Sequence, residues 1–398
     1  MVIYLRKLKN ITMVFFFLLV LTGCQNGLKL DDALLAKVDD LYLDQEFPTY
    51  KKYIIETEED IFLLDEQMRL MVKTKLKPIH DPRMRSVKLL KHIFDQENVA
   101  LAYSSGANVS AREAYHNQQA NCLSLTIMAY SLAREANLNV DFQDVSIPEY
   151  WVRDGQHNML SGHVNLLITK VKNPSHLLLI GNNTLTIDFD PVISKKLFPS
   201  KVINKKTVLA MYYSNKGGQA LFDNDLDKAY AYFKAATKID PNFSPAWGNL
   251  GVLYRKIKHD DYAMVNYRHA IALDNKNYNT MSNMSLMLNE QGKLDQVKRI
   301  QKILHRKRHE NPYYHALLAD EAEYRGDHSK ALKHYRRAIL LANNVHEFHF
   351  GMAKIYYAMN DHQRAEKSLK KAIAYNKNKE IDNRYIAKMS IIKQESNR

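Results

Sequence analysis

Two cysteines, Cys24 and Cys122, stand in 398 residues, which excludes a disulfide-stapled scaffold and a zinc site built from cysteine alone. Glycine (13) and proline (10) are also scarce, so collagen-like and largely disordered chains are excluded. No glycine-rich phosphate loop, HExxH pair or GxSxG elbow occurs. No long basic tail carries the formal net charge of +14; the lysines are dispersed among Tyr, Ala and Leu and read as a solvated surface. What is present is a 46% hydrophobic chain, long enough at roughly 150 residues per domain for two or three domains.

The N-terminus reads as a targeting segment. Arg6, Lys7 and Lys9 precede an apolar run from Ile11 to Leu21, too short to span a bilayer comfortably, and Leu21-Thr22-Gly23-Cys24 ends it. Small residues before a cysteine resemble the lipobox of bacterial lipoproteins. That resemblance implies a signal peptide over 1–23, diacylglycerol on Cys24, a lipidated tether over 24–44 and, with Gln25 in place of Asp, an outer-membrane anchor facing the periplasm. Cys122 is then the only free thiol of the mature chain in an oxidising compartment, either deeply buried or kept for reactivity.

Residues 45–206 read as an α+β unit with helices first and an antiparallel sheet after. One helical pattern runs through Ile61, Leu63, Leu64, Met68 and Leu70 and ends before Pro78, and a second spans about Met84 to Phe94. Cys122 to Ala136 reads as a buried helix. Strand signals follow at Val140–Val145, His163–Thr169, Leu177–Ile180 and Thr184–Phe189, with a turn at Gly181-Asn182-Asn183. Beyond residue 206 the period becomes 34. Ala229, Ala263, Val297, Ala331 and Ala365 form one column, Ala236, Ala270, Leu304, Ala338 and Ala372 another, and Leu250, Met284, Leu318 and Met352 a third that is expected to be equivalently buried. With Trp247, Gly251 and Tyr254 this pattern resembles tetratricopeptide (TPR) repeats, helix pairs that bury their apolar faces only by stacking. About five units are expected over 207–376, with a polar capping helix over 377–398 and a separate core for each half of the chain.

Cys122 opens a helix, where free N–H groups favour a thiolate. His163 and Asp188 follow on expected strands. An imidazole beside a thiol takes its proton, and a carboxylate fixes the imidazole's tautomer. His157, expected in a loop, competes with His163, and Asp190 competes with Asp188. A metal site on Cys122, His163 and Asp188 lacks the short ligand pair usual for zinc, so no metal or cofactor is expected. Asn121-Cys122-Leu123-Ser124-Leu125, Gly162-His163-Val164-Asn165-Leu166 and Ile187-Asp188-Phe189-Asp190-Pro191 together resemble the transglutaminase-like group of the papain-type thiol fold. The expected fold class is therefore an α+β papain-like/transglutaminase-like cysteine domain followed by an all-α TPR superhelix. The resemblance also implies an upstream side-chain oxyanion donor, for which Gln118 and Gln119 are candidates.

These readings lead to a thiol-dependent acyl-transfer or amide-hydrolysing enzyme acting on a protein or peptide held in the repeat groove. The alternative is a repeat scaffold on which the thiol fold is only a platform. The basic run His305-Arg306-Lys307-Arg308-His309 is short and reads as a solvated helix end, so no nucleic-acid partner is expected.

Overall fold

The computed structural model describes residues 41–94, 102–103, 107–116, 119–147, 149–154, 157–169, 184–189, 198–376 and 379–396. The signal segment, Cys24, Gln118, Asp190, the Leu177–Ile180 strand and its Gly181-Asn182-Asn183 turn lie outside them. Residues 42–398 form one compact unit.

Helices α1 (Glu58–Phe62), α2 (Glu66–Met71, continued by a wider turn over Val72–Leu76) and α3 (Pro82–Phe94) come first. The single helix expected before Pro78 is split. Thr57 and Asp60 form a capping box on α1, and Asp65 accepts from the Met68 N–H to start α2 afresh. A short parallel pair, β1 (Ala102–Tyr103) with β2 (Gln119–Ala120), flanks α4 (Ala111–His116). Helix α5 (Cys122–Glu135) is buried on nearly every side, as its unbroken small and apolar run requires. It packs against β3 (Asn139–Val145) and β6 (Val164–Thr169). These two strands are the centre of a four-stranded antiparallel sheet, with β7 (Thr184–Ile187) beside β6 and β8 (Ser200–Ile203) beside β3. Val140 pairs with Ile168 and Phe142 with Leu166, so period-two alternation sends one face of both strands into the core. Between β3 and β6 the chain makes a separate hairpin, β4 (Tyr150–Asp154) with β5 (His157–Ser161). His157 thus opens a strand and is not in a loop.

Helices α6 (Lys205–Phe222) through α15 (His362–Tyr375) make five antiparallel pairs among the described residues. They are α6 with α7 (Leu226–Ile239), α8 (Ser244–Lys256) with α9 (Asp260–Leu273), and α10 (Tyr278–Glu290) with α11 (Leu294–Arg308). The last two are α12 (Pro312–Tyr324) with α13 (His328–Leu341), and α14 (His346–Ala358) with α15. Helix α16 (Lys379–Ser396) packs on α15. The alanine columns are buried throughout. Small residues are needed where helices cross. A Cβ on Gly251 would lie 2.5 Å from the Tyr267 ring, and one on Gly217 would lie 2.6 Å from Phe233. The third column is not uniform: Leu250 and Met284 are buried, but Leu318 and Met352 are only half-buried. Leu250→Asp should therefore cost about 4 kcal/mol, as a charge placed in a closed core does, and Leu318→Asp clearly less, because its carboxylate keeps some water. Urea melts giving equal losses would contradict this difference.

One further column repeats at the same period. Asn224, Lys258, Gly292, Gly326 and Asn360 all hold positive φ, 59–76°, in the turn inside each pair. The residue after each donates its N–H to a carbonyl five positions back, as from Asp225 to Ala220 and from His259 to Tyr254. This is the Schellman closure of a helix, whose left-handed position suits glycine or asparagine. Lys258 sits there against a penalty of roughly 1–2 kcal/mol, partly offset in any glycine variant by lost chain entropy. Lys258→Gly should raise stability by about 0.5–1 kcal/mol; a midpoint that falls would refute the strain.

The α+β unit shares its core with the first repeat pair, while the last two pairs and α16 close a cluster of their own. Ile61, Leu89, Ile127 and Leu166 of the α+β unit belong to one continuous cluster with Val208, Leu209, Tyr212 and Ala236 of the first pair. Helix α6 begins two residues after β8, so its apolar face has nowhere else to go. Residues 42–56, expected partly as tether, run along the first two pairs. Phe47 is buried and stacks on Tyr230 at 4.1 Å, Tyr42 stacks on Trp247 at 5.8 Å, and Tyr53 donates to Asp225 at 2.8 Å. Asp44 takes hydrogen bonds from Lys234, Tyr230 and Tyr50. Burial opposes ionisation of Asp44, but those donors hold its carboxyl down at about 2.

Candidate thiol site and repeat array

Asn121 fixes the start of α5 by accepting from the Ser124 N–H at 2.9 Å, and Ser124 Oγ accepts from the Val109 N–H at 2.9 Å. Cys122 is therefore the first helical residue, and its thiol lies beside N–H groups that no helix carbonyl can satisfy. Cys122 Sγ lies 3.6 Å from His163 Nδ1, and His163 Nε2 lies 2.8 Å from Asp188 Oδ2. Cys122 is 7% exposed and His163 2%. The structure thus brings Cys122, His163 and Asp188 into one line. It does so from the strand ends, because His163 immediately precedes β6 and Asp188 immediately follows β7. Leu166 pairs with Ile187, so Asn165 and Asp188 fall opposite one another, and His163 is two residues back along β6 on the same side.

Two groups that the sequence reading passed over complete the site. Asn165 Nδ2 donates to Asp188 Oδ2 at 3.3 Å, and its place two residues after His163 was the available signal. The Val164 carbonyl accepts from Cys122 Sγ at 3.1 Å and from Thr126 Oγ1 at 3.1 Å. The sulfur thus lies between a backbone carbonyl and the imidazole. Burial disfavours the imidazolium. The hydrogen bonds to Asp188 and Cys122 outweigh it and push His163 up to about 10. Gln119 lies in β2, directly upstream of Asn121-Cys122. Among the described residues no group of three or more His, Cys, Asp or Glu side chains is arranged to hold a metal ion.

The hairpin that leads into His163 is tied to the repeats through the residue before it. Arg308 Nε and Nη2 donate to the two Glu149 carboxylate oxygens at 2.5 and 2.6 Å, and Asn311 Nδ2 donates to the Glu149 carbonyl at 2.7 Å. His305, Arg306 and Lys307 are exposed as the sequence suggested, but Arg308 is 3% exposed and leaves that solvated run. The missing signal was Glu149, distant in sequence and adjacent only through the fold.

A family model described as tetratricopeptide repeat matches residues 209–243, 244–277 and 346–379. No curated protein matches the chain. Similar solved structures include Pseudomonas aeruginosa pilF, 16% identical over 49% of this chain and 88% of that one, with a TM-score of 0.31. A thermophilic TPR protein of Thermus thermophilus is 20% identical over 45% of this chain and 97% of that one, with a TM-score of 0.31. A tetratricopeptide repeat protein from Parabacteroides merdae is 16% identical over 46% and 70%, with a TM-score of 0.32. The chain carries tetratricopeptide repeats at residues 209–277 and 346–379, within a C-terminal array of paired helices.

Proposed function

We propose that this repeat protein binds a protein or peptide partner and carries a transglutaminase-like thiol site that acts on it. The observation that supports the reading best is the line from Cys122 Sγ through His163 to Asp188. In the proposed reaction the proton of Cys122 rests on His163 Nδ1 as a thiolate–imidazolium pair, and the thiolate attacks a carboxamide or peptide carbonyl. The first N–H groups of α5 face the developing oxyanion, with Gln118 or Gln119 as the side-chain donor that the resemblance implies. His163 then protonates the leaving amine, and a thioester remains. Water releases it as an acid, and an amine releases it as a cross-link. A protein partner trapped by Cys122→Ser, and altered in mass only by the wild type, would test this directly.

The second reading is a non-enzymatic scaffold. It draws on the family match, which covers repeats only, and on the thiol's closed position against the Val164 carbonyl. Full function from Cys122→Ser would favour it. Under either reading we infer that Cys24 is acylated and anchors the chain in the outer membrane, on the strength of the basic, apolar and small-residue order before it. An intact mass without lipid would overturn that inference.

The His163 pair also sets a pH dependence. A pKa raised from 6.5 to about 10 gives stability that is fully present below pH 6.5 and is lost as pH rises through about 10. The melting-temperature gap between wild type and His163→Gln should accordingly be widest near pH 6.5 and narrow toward pH 10. A constant gap would mean that the imidazolium contributes nothing.

A further inference from the structure

We propose that the outer face of α3 and the turn before it is a docking surface for an anionic lipid bilayer. The charge of the chain is less dispersed than its composition suggests. Residues 69–94 hold eight Lys and Arg against one acidic residue, Asp81, a local +7 and half of the formal +14. The inner stripe of α3 is Ser86, Leu89 and Ile93, all buried. Its outer stripe is Met84, Val87, Lys88 and Lys91, at the three- and four-residue steps that share a helix face. Met84 is 57% exposed and Val87 47%, and Leu70 on α2 is 56% exposed. Lys75, from the turn after α2, joins that face: burial and the ammonium groups of Lys88 and Lys75 hold His92 below its usual range. Lys77 is paired with Glu135, whereas Arg69, Lys73, Lys75, Arg83 and Lys88 have no ion-pair partner among the described residues.

Exposed Met84 and Val87 beside Lys75 and Lys88 match a bilayer interface, where side chains enter the acyl boundary and ammonium groups meet phosphates. A nucleic acid would meet the same charges but gives Met84 and Val87 nothing to enter. The surface goes beyond the thiol and repeat reading and does not require acylated Cys24, because its own charged and apolar side chains make the contact.

The test is co-sedimentation of residues 42–398, the compact unit, with vesicles of phosphatidylcholine alone or with a third of phosphatidylglycerol. Binding is expected on the anionic vesicles only, and to be lost in roughly 1 M salt, where the screening length is about 3 Å. Lys75→Glu with Lys88→Glu should lower partitioning at least about twentyfold, since each basic side chain near such a surface contributes roughly fivefold. Met84→Ser with Val87→Ser should lower it several-fold while leaving the salt dependence. A fluorophore on Val87→Cys should shift to the blue on anionic vesicles, a readout independent of the charge variants. Equal binding to both vesicle types, unchanged binding by the charge-reversed variant, or retention on duplex DNA but not on vesicles would each overturn the proposal.

Discussion

Replacing Arg308 with alanine should lower the unfolding free energy by about 3 kcal/mol and make Cys122 easier to alkylate. The guanidinium is buried at the end of α11, and both of its forked donors are used by Glu149. Removing one member of such a pair leaves a carboxylate with its desolvation cost and no compensating charge, which costs roughly 3–5 kcal/mol when fully closed. Glu149 keeps 18% of its side-chain surface in water, so the low end of that range applies. The Tyr314 ring, 5.5 Å from the guanidinium, holds Arg308 in place but cannot replace it. Glu149→Ala with Arg308→Ala should recover part of the loss, and the difference across the double-mutant cycle isolates the pair. The effect on the thiol follows from connectivity. Glu149 leads directly into β4, and β5 ends at Ser161, two residues before His163. A hairpin released from the repeats loosens the segment that leads into His163. Unchanged melting and unchanged alkylation would show that the tie carries no load.

The repeats were readable because their constraint is local and recurrent. A buried alanine every 34 residues leaves a mark that survives substitution elsewhere, as Val297 and Leu304 show within their columns. The five left-handed turn residues had the same spacing, yet Lys258 disguised the column because backbone geometry there overrides side-chain preference. The order Cys122, His163, Asp188 was legible, but the expected strands ran one residue past β6 at His163 and two past β7, through Asp188 to Phe189. Polar side chains at strand ends continue the apparent alternation after the ladder has stopped. The β4–β5 hairpin was hidden for another reason. Its strands mix Arg153, Asp154, His157 and Asn158 with apolar residues, and that polarity hides the alternation of a strand. Strand β8 was missed because it is an edge strand with Lys201 and Val202 exposed, so burial imposes no pattern on it. The shared core and the Arg308–Glu149 pair are long-range facts, and no window of sequence contains both partners.

Acetylation of Cys122 by p-nitrophenyl acetate should be about a hundredfold slower in His163→Ala than in the wild type, the lower end of what a positioned base contributes. The carbonyl of Val164 lies on one side of the sulfur, so a thiolate needs its proton held on the other, and His163 Nδ1 is placed to hold it at 3.6 Å. Its availability depends on Asp188, which takes the hydrogen bond of Nε2–H at 2.8 Å and leaves Nδ1 facing Sγ. Asp188→Asn keeps the shape of that contact. An amide N–H directed at Nε2 would nevertheless favour the tautomer protonated on Nδ1, and the loss can then approach ~10⁴ although the fold is intact. Asn165→Ala, which removes only the second donor to Asp188, should lie between wild type and Asp188→Asn. The order of rates matters more than any one value, because a thiol that is merely solvent-accessible would acetylate at a rate set by exposure and indifferent to all three substitutions. Equal labelling across the series, with every variant melting like the wild type, would remove the catalytic reading of the line and leave Cys122 as a buried thiol satisfied by Val164.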